Sequence, residues 1–326
     1  MTGLRWVFLS VLGAGLSLGL LSGVERRVIY EKQTQYNHII VEEDDEGLRY
    51  LLFDEYGGYQ SVRSPGETDR LELPYSKMMM AGLACVEEPK KCLIIGLGGG
   101  SIPSFLHKRY PQTKIDCVDI DPEVIAVAKE FFDFEEGDMM RAHAADGRKF
   151  IEESRDRYDV VFLDAYGDDA IPQHLTTREF LRSTRAILSP KGVVVGNLWG
   201  RASNPLYDSM VKTYQDVFDE VYVFPVPLRD NVILLGVPRK GEVSREALAK
   251  SAGKLSKAKQ FPFDLGELVD SCFQDSRKLS FEGKVLEDDK EKQKEGPRAE
   301  TPGVPAPSGE KKAPEKETPR ENPPTK

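Results

Sequence analysis

The stretch from Lys91 to Asp121, KCLIIGLGGGSIPSFLHKRYPQTKIDCVDID, constrains the fold more than any other part of the chain. Its opening run, Cys92-Leu93-Ile94-Ile95, is apolar throughout and too short for a helix, which predicts a buried parallel strand. Gly96, Gly98, Gly99 and Gly100 come directly after it. Ser101 stands where it can cap a helix, and Pro103 falls in that helix's first turn, where a missing N–H does no harm. A second apolar strand, Ile115 to Ile120, ends in Asp119 and Asp121. Strand, glycine turn, helix and strand make the first half of a nucleotide-binding βαβ unit. Glycines let the backbone come close to a ligand, and a helix N-terminus offers free N–H groups and positive potential. An acid about 20 residues on can accept hydrogen bonds from ribose hydroxyls. Ser101 replaces the third glycine of the dinucleotide pattern, so a nicotinamide dinucleotide fold and a ligand-free tight turn both stay open at this point.

The residues beyond Asp121 decide between them. Pro122 to Phe132 carries Val124, Ile125, Val127, Ala128, Phe131 and Phe132 on one helical stripe. Met139 to Ala145 predicts a third strand closed by Asp146-Gly147, and Tyr158 to Leu163 a fourth ending in Asp164. Thr177 to Leu188 predicts a helix stopped by Ser189-Pro190-Lys191-Gly192. A fifth strand covers Gly192 to Trp199, a helix runs from about Pro205 to Phe218, and Val221–Val226 with Val232–Val237 close as a hairpin. Five alternating strand–helix steps capped by a hairpin give an α/β, Rossmann-like, seven-stranded sheet of the class I methyltransferase type. Asp119, Asp146 and Asp164 all fall at strand ends, where open α/β sheets bind ligands.

Upstream, Arg27 to Glu42 is expected as one strand, Leu48 to Phe53 as a second, and Gln60 to Arg63 as a third after a Tyr56-Gly57-Gly58-Tyr59 turn. This small antiparallel β-unit precedes the main sheet, and Leu71 to Ala84 reads as a helix. Trp6 to Val24 is apolar and uncharged, long enough to span a bilayer. It reads as a membrane anchor, with a cleaved signal peptide as the alternative. Arg26, Arg27 and Lys32 after it favour a cytoplasmic catalytic domain; export after signal cleavage is the other localisation. From about Glu287 the chain is Lys, Glu and Pro with few apolar residues, a composition that predicts disorder. The expected divisions are 1–27 anchor or signal, 28–76 β-unit, 77–260 nucleoside-binding domain, 261–286 C-terminal extension and 287–326 tail. A net charge of −9 argues against a nucleic-acid partner. Cys85, Cys92, Cys117 and Cys272 lack metal-ligand spacing, so no metal is expected and all four read as reduced.

From Gln35 to Pro238 the chain resembles the spermidine synthase (polyamine aminopropyltransferase) family. Ile94-Ile95-Gly96-Leu97-Gly98-Gly99-Gly100 stands where that family has Gly-Gly-Gly-Asp-Gly-Gly. Val118-Asp119-Ile120-Asp121 is similar to its Val-Glu-Ile-Asp, whose first acid binds ribose. Asp146-Gly147 matches its adenine-side Asp-Gly, and Asp164 the first acid of its catalytic Asp-x-x-Asp loop. Gln35, Gln60 and Tyr75 fall where the family contacts substrate and nucleoside. The resemblance implies S-adenosylmethionine or its decarboxylated form as co-substrate, an amine acceptor and a homodimer.

The departures bear on chemistry. The family's loop aspartate, which holds the amine of the decarboxylated nucleoside, is Gly99 here. Its second catalytic acid is Gly167, although Asp168 and Asp169 come next, and its Tyr-His-Glu is Tyr75-Ser76-Lys77. Glycine at 99 removes an acid that would repel the carboxylate of intact S-adenosylmethionine, and its free N–H would favour that carboxylate. Methyl transfer is therefore slightly favoured over aminopropyl transfer, with an inactive membrane-tethered binding module as a third reading. Asp164 is the expected proton acceptor, assisted by Asp168 or Asp169. The acceptor is a small-molecule amine or a protein side chain, and Trp199 is a candidate wall of its pocket. His174, just past the acidic loop, reads as a surface residue, with a place on the acceptor site as the alternative.

Overall fold

The computed structural model describes residues 25–55, 58–86, 88–166, 171–241 and 243–289. The apolar segment before Val24, the Tyr56-Gly57 turn, Asp168, Asp169 and the tail beyond 289 lie outside them. Among the described residues, no helix is long and apolar enough to cross a membrane.

The main sheet grows from β5 (Lys91–Ile95), which pairs in parallel with β6 (Lys114–Asp119) on one side and β8 (Tyr158–Leu163) on the other. β7 (Met140–Ala144) extends the first side. β9 (Leu188–Trp199), β11 (Asn231–Val237) and β10 (Glu220–Pro225) extend the second, the last two antiparallel. With β12 (Gln274–Asp275) at the edge, the full order is β7-β6-β5-β8-β9-β11-β10-β12. The first seven members are the expected sheet. An eighth, β12 (Gln274–Asp275), is a two-residue edge pairing that no sequence pattern announced. Strand order reverses between β5 and β8, and a crevice opens above that point.

Alternation along β5 shows how the sheet divides the core. Cys92 and Ile94 pack with one apolar cluster, which takes in α1 (Pro74–Met79), α2 (Ser101–Arg109), α3 (Pro122–Phe131), α7 (Arg245–Ala258) and α8 (Leu265–Cys272). Leu93 and Ile95 pack with the other, under α4 (Gly147–Glu153), α5 (Arg178–Ala186) and α6 (Tyr207–Val217). A strand buried on both faces has no polar alternation to show, which is why its sequence is an unbroken apolar run.

The N-terminal unit is a four-stranded antiparallel sheet, β1 (Arg26–Gln33), β2 (His38–Asp44), β3 (Arg49–Leu52) and β4 (Ser61–Arg63). The single strand expected over Arg27–Glu42 is two. The chain reverses at Gln35-Tyr36, where the Thr34 N–H donates to the Asn37 carbonyl at 2.9 Å and the Asn37 N–H to Thr34 Oγ1 at 2.9 Å. A side-chain hydroxyl closes this turn in place of a glycine. The unit docks on both ends of α3. Arg49 Nη1 donates to the Phe131 carbonyl at 2.9 Å and Arg63 Nη1 to that of Phe132, neutralising the negative helix end. At the other end Thr34 Oγ1 (2.6 Å) and Asn37 Nδ2 (3.1 Å) donate to Asp121, whose second oxygen caps α3 through the Glu123 N–H at 2.9 Å.

Two further expectations need correction. The helix over Leu71–Ala84 is α1 followed by a 3₁₀ turn, Met80–Cys85. Ser101 does not cap α2: Gly100, at φ +72°, holds the cap position and Ser101 is the first helical residue.

Candidate functional site

A cavity of about 400 Å³ opens at the crevice between β5 and β8. Its floor is made by strand ends. Gly96 leaves β5 at φ +95°, and a Cβ there would lie 2.2 Å from the Asp164 carbonyl oxygen, so only glycine lets the tips of β5 and β8 meet. Asp119 ends β6. Its carboxylate accepts the Leu97 N–H at 2.9 Å and the Asp121 N–H at 3.0 Å, which fixes it beside the glycine turn. Burial pushes its pKa up to about 6 despite those two donors. A pair of donated hydroxyls is what such a carboxylate lacks.

Asp146 lies just past β7 and caps α4 through the Lys149 N–H at 2.9 Å. Its other oxygen meets His174 Nε2 at 2.9 Å. That hydrogen bond is the main cause holding Asp146 down at about 2. His174 is exposed, as expected, and also lines the wall beside Pro172 and Leu175. With Gly147 and Ile120 these give an apolar lining on the Asp146 side. Ile120 is 40% exposed, a large apolar side chain left facing the cavity.

Asp164 ends β8 on the opposite side. Asn197 Nδ2 donates to it at 2.8 Å and Asn231 Nδ2 donates in turn to Asn197 Oδ1 at 3.1 Å, while the nearby Tyr75 hydroxyl, which donates to the Gln60 carbonyl at 3.4 Å, also favours its charged form. Burial outweighs these donors and pushes its pKa up to about 7. Tyr166 hydrogen-bonds the Asn197 carbonyl at 3.0 Å and lies 5.3 Å, ring to ring, from Trp199. The carboxyl shares the cavity wall with the Tyr75, Tyr166 and Trp199 rings.

Of the residues singled out from sequence, Gly96, Gly98, Gln60, Tyr75, Asp119, Asp146, Gly147, Asp164 and Trp199 line this one cavity. Gln35 does not; it is exposed at the tip of the β1–β2 turn, and Tyr36 and Asn37 reach the wall instead. Gly99 and Gly100 are also off the wall. The Gly99 N–H donates to Ser61 Oγ at 2.8 Å, so it is not the free donor expected for a carboxylate. A Cβ on Gly99 would come within 2.9 Å of Phe132 and of the Ser61 Cβ, and one on Gly100 within 2.7 Å of Phe134. Asp168 and Asp169 lie outside the described residues.

Sequence reading missed Asn197, Asn231, Ser101 and Ile120. Ile120 had a signal, an apolar residue between two acids at a strand end. Ser101 lines the cavity, and its Oγ is buried without a hydrogen-bond partner among the described residues. Among the described residues no group of three or more His, Cys, Asp or Glu could hold a metal ion.

Comparison with known proteins places this geometry in a family. Residues 72–233 match the spermine/spermidine synthase domain. The chain is 37% identical over 243 residues to the polyamine aminopropyltransferase of Vibrio vulnificus, covering 72% of this chain and 80% of that one. It is also 35% identical over 179 residues to the human eEF1A lysine and N-terminal methyltransferase, over 49% of this chain and 26% of that protein. Among solved structures, human methyltransferase-like protein 13 in complex with SAH superimposes with a TM-score of 0.54 at 32% identity, over 59% of this chain and 94% of that one. The chain belongs to the spermine/spermidine synthase family and is a transferase of the S-adenosylmethionine type.

Proposed function

We propose that the protein transfers a methyl group from intact S-adenosylmethionine to an amine nitrogen. The observation that carries this reading is the plugged direction at Gly99. Phe132 and Ser61 fill the space into which a side chain at that position would project, so no acid there can read the ammonium of a decarboxylated nucleoside. On the same side of the cavity stands the opposite kind of group, the unpartnered hydroxyl of Ser101 in the first turn of α2. A hydroxyl with helix N–H groups beside it suits a carboxylate.

The co-substrate supplies a methyl carbon made electrophilic by its sulfonium, which leaves as a neutral thioether. The chain's residues do the rest. Asp119 receives the ribose hydroxyls, and the apolar lining beside Asp146 receives the base. Asp164, held by Asn197, takes the proton from the acceptor ammonium, so that the nitrogen lone pair is free to attack. Closing Tyr75, Tyr166 and Trp199 around that nitrogen excludes water and aligns the pair. A lysine or N-terminal amine is one acceptor class, by analogy with the named human methyltransferase.

Aminopropyl transfer is the second reading. The 37% identity to a polyamine aminopropyltransferase over most of the chain favours it. It requires a carboxylate for the aminopropyl ammonium. Glu72 is on the wall, but ion-paired with Arg70 at 3.0 Å.

Calorimetry with both nucleosides on the parent protein and Ser101→Ala separates the two. Loss of one hydrogen bond to a charged group should weaken intact S-adenosylmethionine about tenfold, and leave the decarboxylated form unchanged. Tighter binding of the decarboxylated form by the parent would overturn methyl transfer.

A further inference from the structure

The segment from Leu279 to Asp288 has no helix or strand of its own, yet it is tied down with a period of two residues. The N–H groups of Glu282, Lys284, Leu286 and Asp288 donate in turn to Asp208, Ser209, Thr213 and Glu179, at 3.1, 3.1, 2.9 and 2.9 Å. An extended chain presents every second N–H on one side, and here that side meets a row of side-chain acceptors on α6 and α5. Gly283 permits the approach: a Cβ there would lie 2.1 Å from the Ser209 nitrogen. The Leu286 carbonyl accepts the Arg178 N–H at 2.8 Å, satisfying an open donor in the first turn of α5.

The strap connects to the site through Arg148. Asp288 accepts both guanidinium arms of Arg148, at 2.7 and 2.6 Å, together with the Thr177 hydroxyl at 2.7 Å. Arg148 is next to Gly147 in α4, and its Nη1 also donates to the His174 carbonyl at 3.3 Å. His174 is the residue whose ring holds Asp146. A continuous run of charge-assisted contacts therefore leads from the C-terminal strap to the wall of the nucleoside pocket.

We infer that Asp288 is a positioning residue for nucleoside binding: the strap anchors Arg148, and Arg148 sets the Gln173–Leu175 turn that carries His174 against Asp146. The inference rests on the nucleoside reading of this cavity. It goes beyond that reading in giving the C-terminal extension a role at the site.

The test uses the full chain with Asp288→Asn and, in parallel, Arg148→Lys, which keeps the charge but loses the fork. Each is expected to weaken S-adenosylmethionine binding about fivefold, with kcat at saturation within about twofold of the parent. The double variant should be no weaker than the worse single one, since both break the same connection. Hydrogen exchange of residues 173–176, measured without ligand, should quicken in both. A strap that merely stabilises the fold would lower Tm but leave affinity and exchange at 173–176 at parent values, and that outcome overturns the inference. If the parent binds no sulfonium nucleoside, the nucleoside reading fails, and the exchange measurement still decides whether Asp288 orders the His174 turn.

Discussion

Asp146 and Asp164 stand in one cavity, at the ends of two strands of the same sheet, and their environments pull them in opposite directions. Asp146 is held at about 2 by the His174 ring and the first N–H groups of α4. Asp164 is pushed up to about 7 because the neutral amide of Asn197 and a phenol do not offset its burial. Position at a strand end makes an acid available to a ligand; the partners supplied by neighbouring loops decide whether it stays charged or trades a proton. In the proposed mechanism the first end of the cavity holds the ligand and the second reacts with it.

Asn at 164 breaks the comparison most severely. Asp164→Asn keeps the shape and removes the proton acceptor, so kcat should fall ~10²- to 10⁴-fold while nucleoside affinity stays near the parent value. Single-turnover assays with calorimetry on the same sample check both halves; full turnover in this variant would remove Asp164 from the chemistry. The holding end gives the converse result. Asp119→Asn should weaken the nucleoside by about 2 kcal/mol, roughly 30-fold, with kcat at saturation nearly preserved. A drop confined to kcat would place Asp119 on the reacting side instead.

Stability against pH sharpens the contrast at smaller magnitude. Asp164 titrates near 3.8 in an unfolded chain and near 7 in the fold. Between those values the native state holds a proton that the unfolded chain has released, so stability falls as pH rises from about 4 to about 7 and is level above. Asp146, lowered from 3.8 to about 2, contributes stability above about pH 4 that is lost as pH falls toward 2. Asp164→Asn should therefore stabilise the protein at pH 8 by on the order of 2 kcal/mol and change little at pH 4. Equal melting shifts at both pH values would show that Asp164 is not titrating where its burial puts it.

How much of this was legible depended on the distance over which each feature is written. The β5–glycine turn–α2–β6 unit and Asp119 were readable because strand, turn and acid lie within one short stretch and each has its own residue chemistry. Asp146 and Asp164 came from the same rule applied to later strands. Asn197 and Asn231 were not readable, since they meet only because β11 runs antiparallel to β9 with Asn231 opposite Trp199. Nothing local distinguishes them from any polar residue ending a strand. The reversal at Gln35-Tyr36 carries no glycine or proline, so no local turn signal marks it. The strap was hidden for a related reason: its order comes from acceptors on α5 and α6, which its own sequence does not reveal. Composition accordingly placed the end of the packed chain at 286, although Asp288 is still clamped.

Gly96 has a consequence for how such a protein can acquire a different reaction. A single hydrogen separates the glycine turn from the backbone bearing Asp164. Any larger group there would wedge the two strand tips apart. Divergence in what is transferred, and to whom, is thereby channelled away from the seam of the sheet. It falls to residues such as Tyr166 and Arg229, which border the cavity.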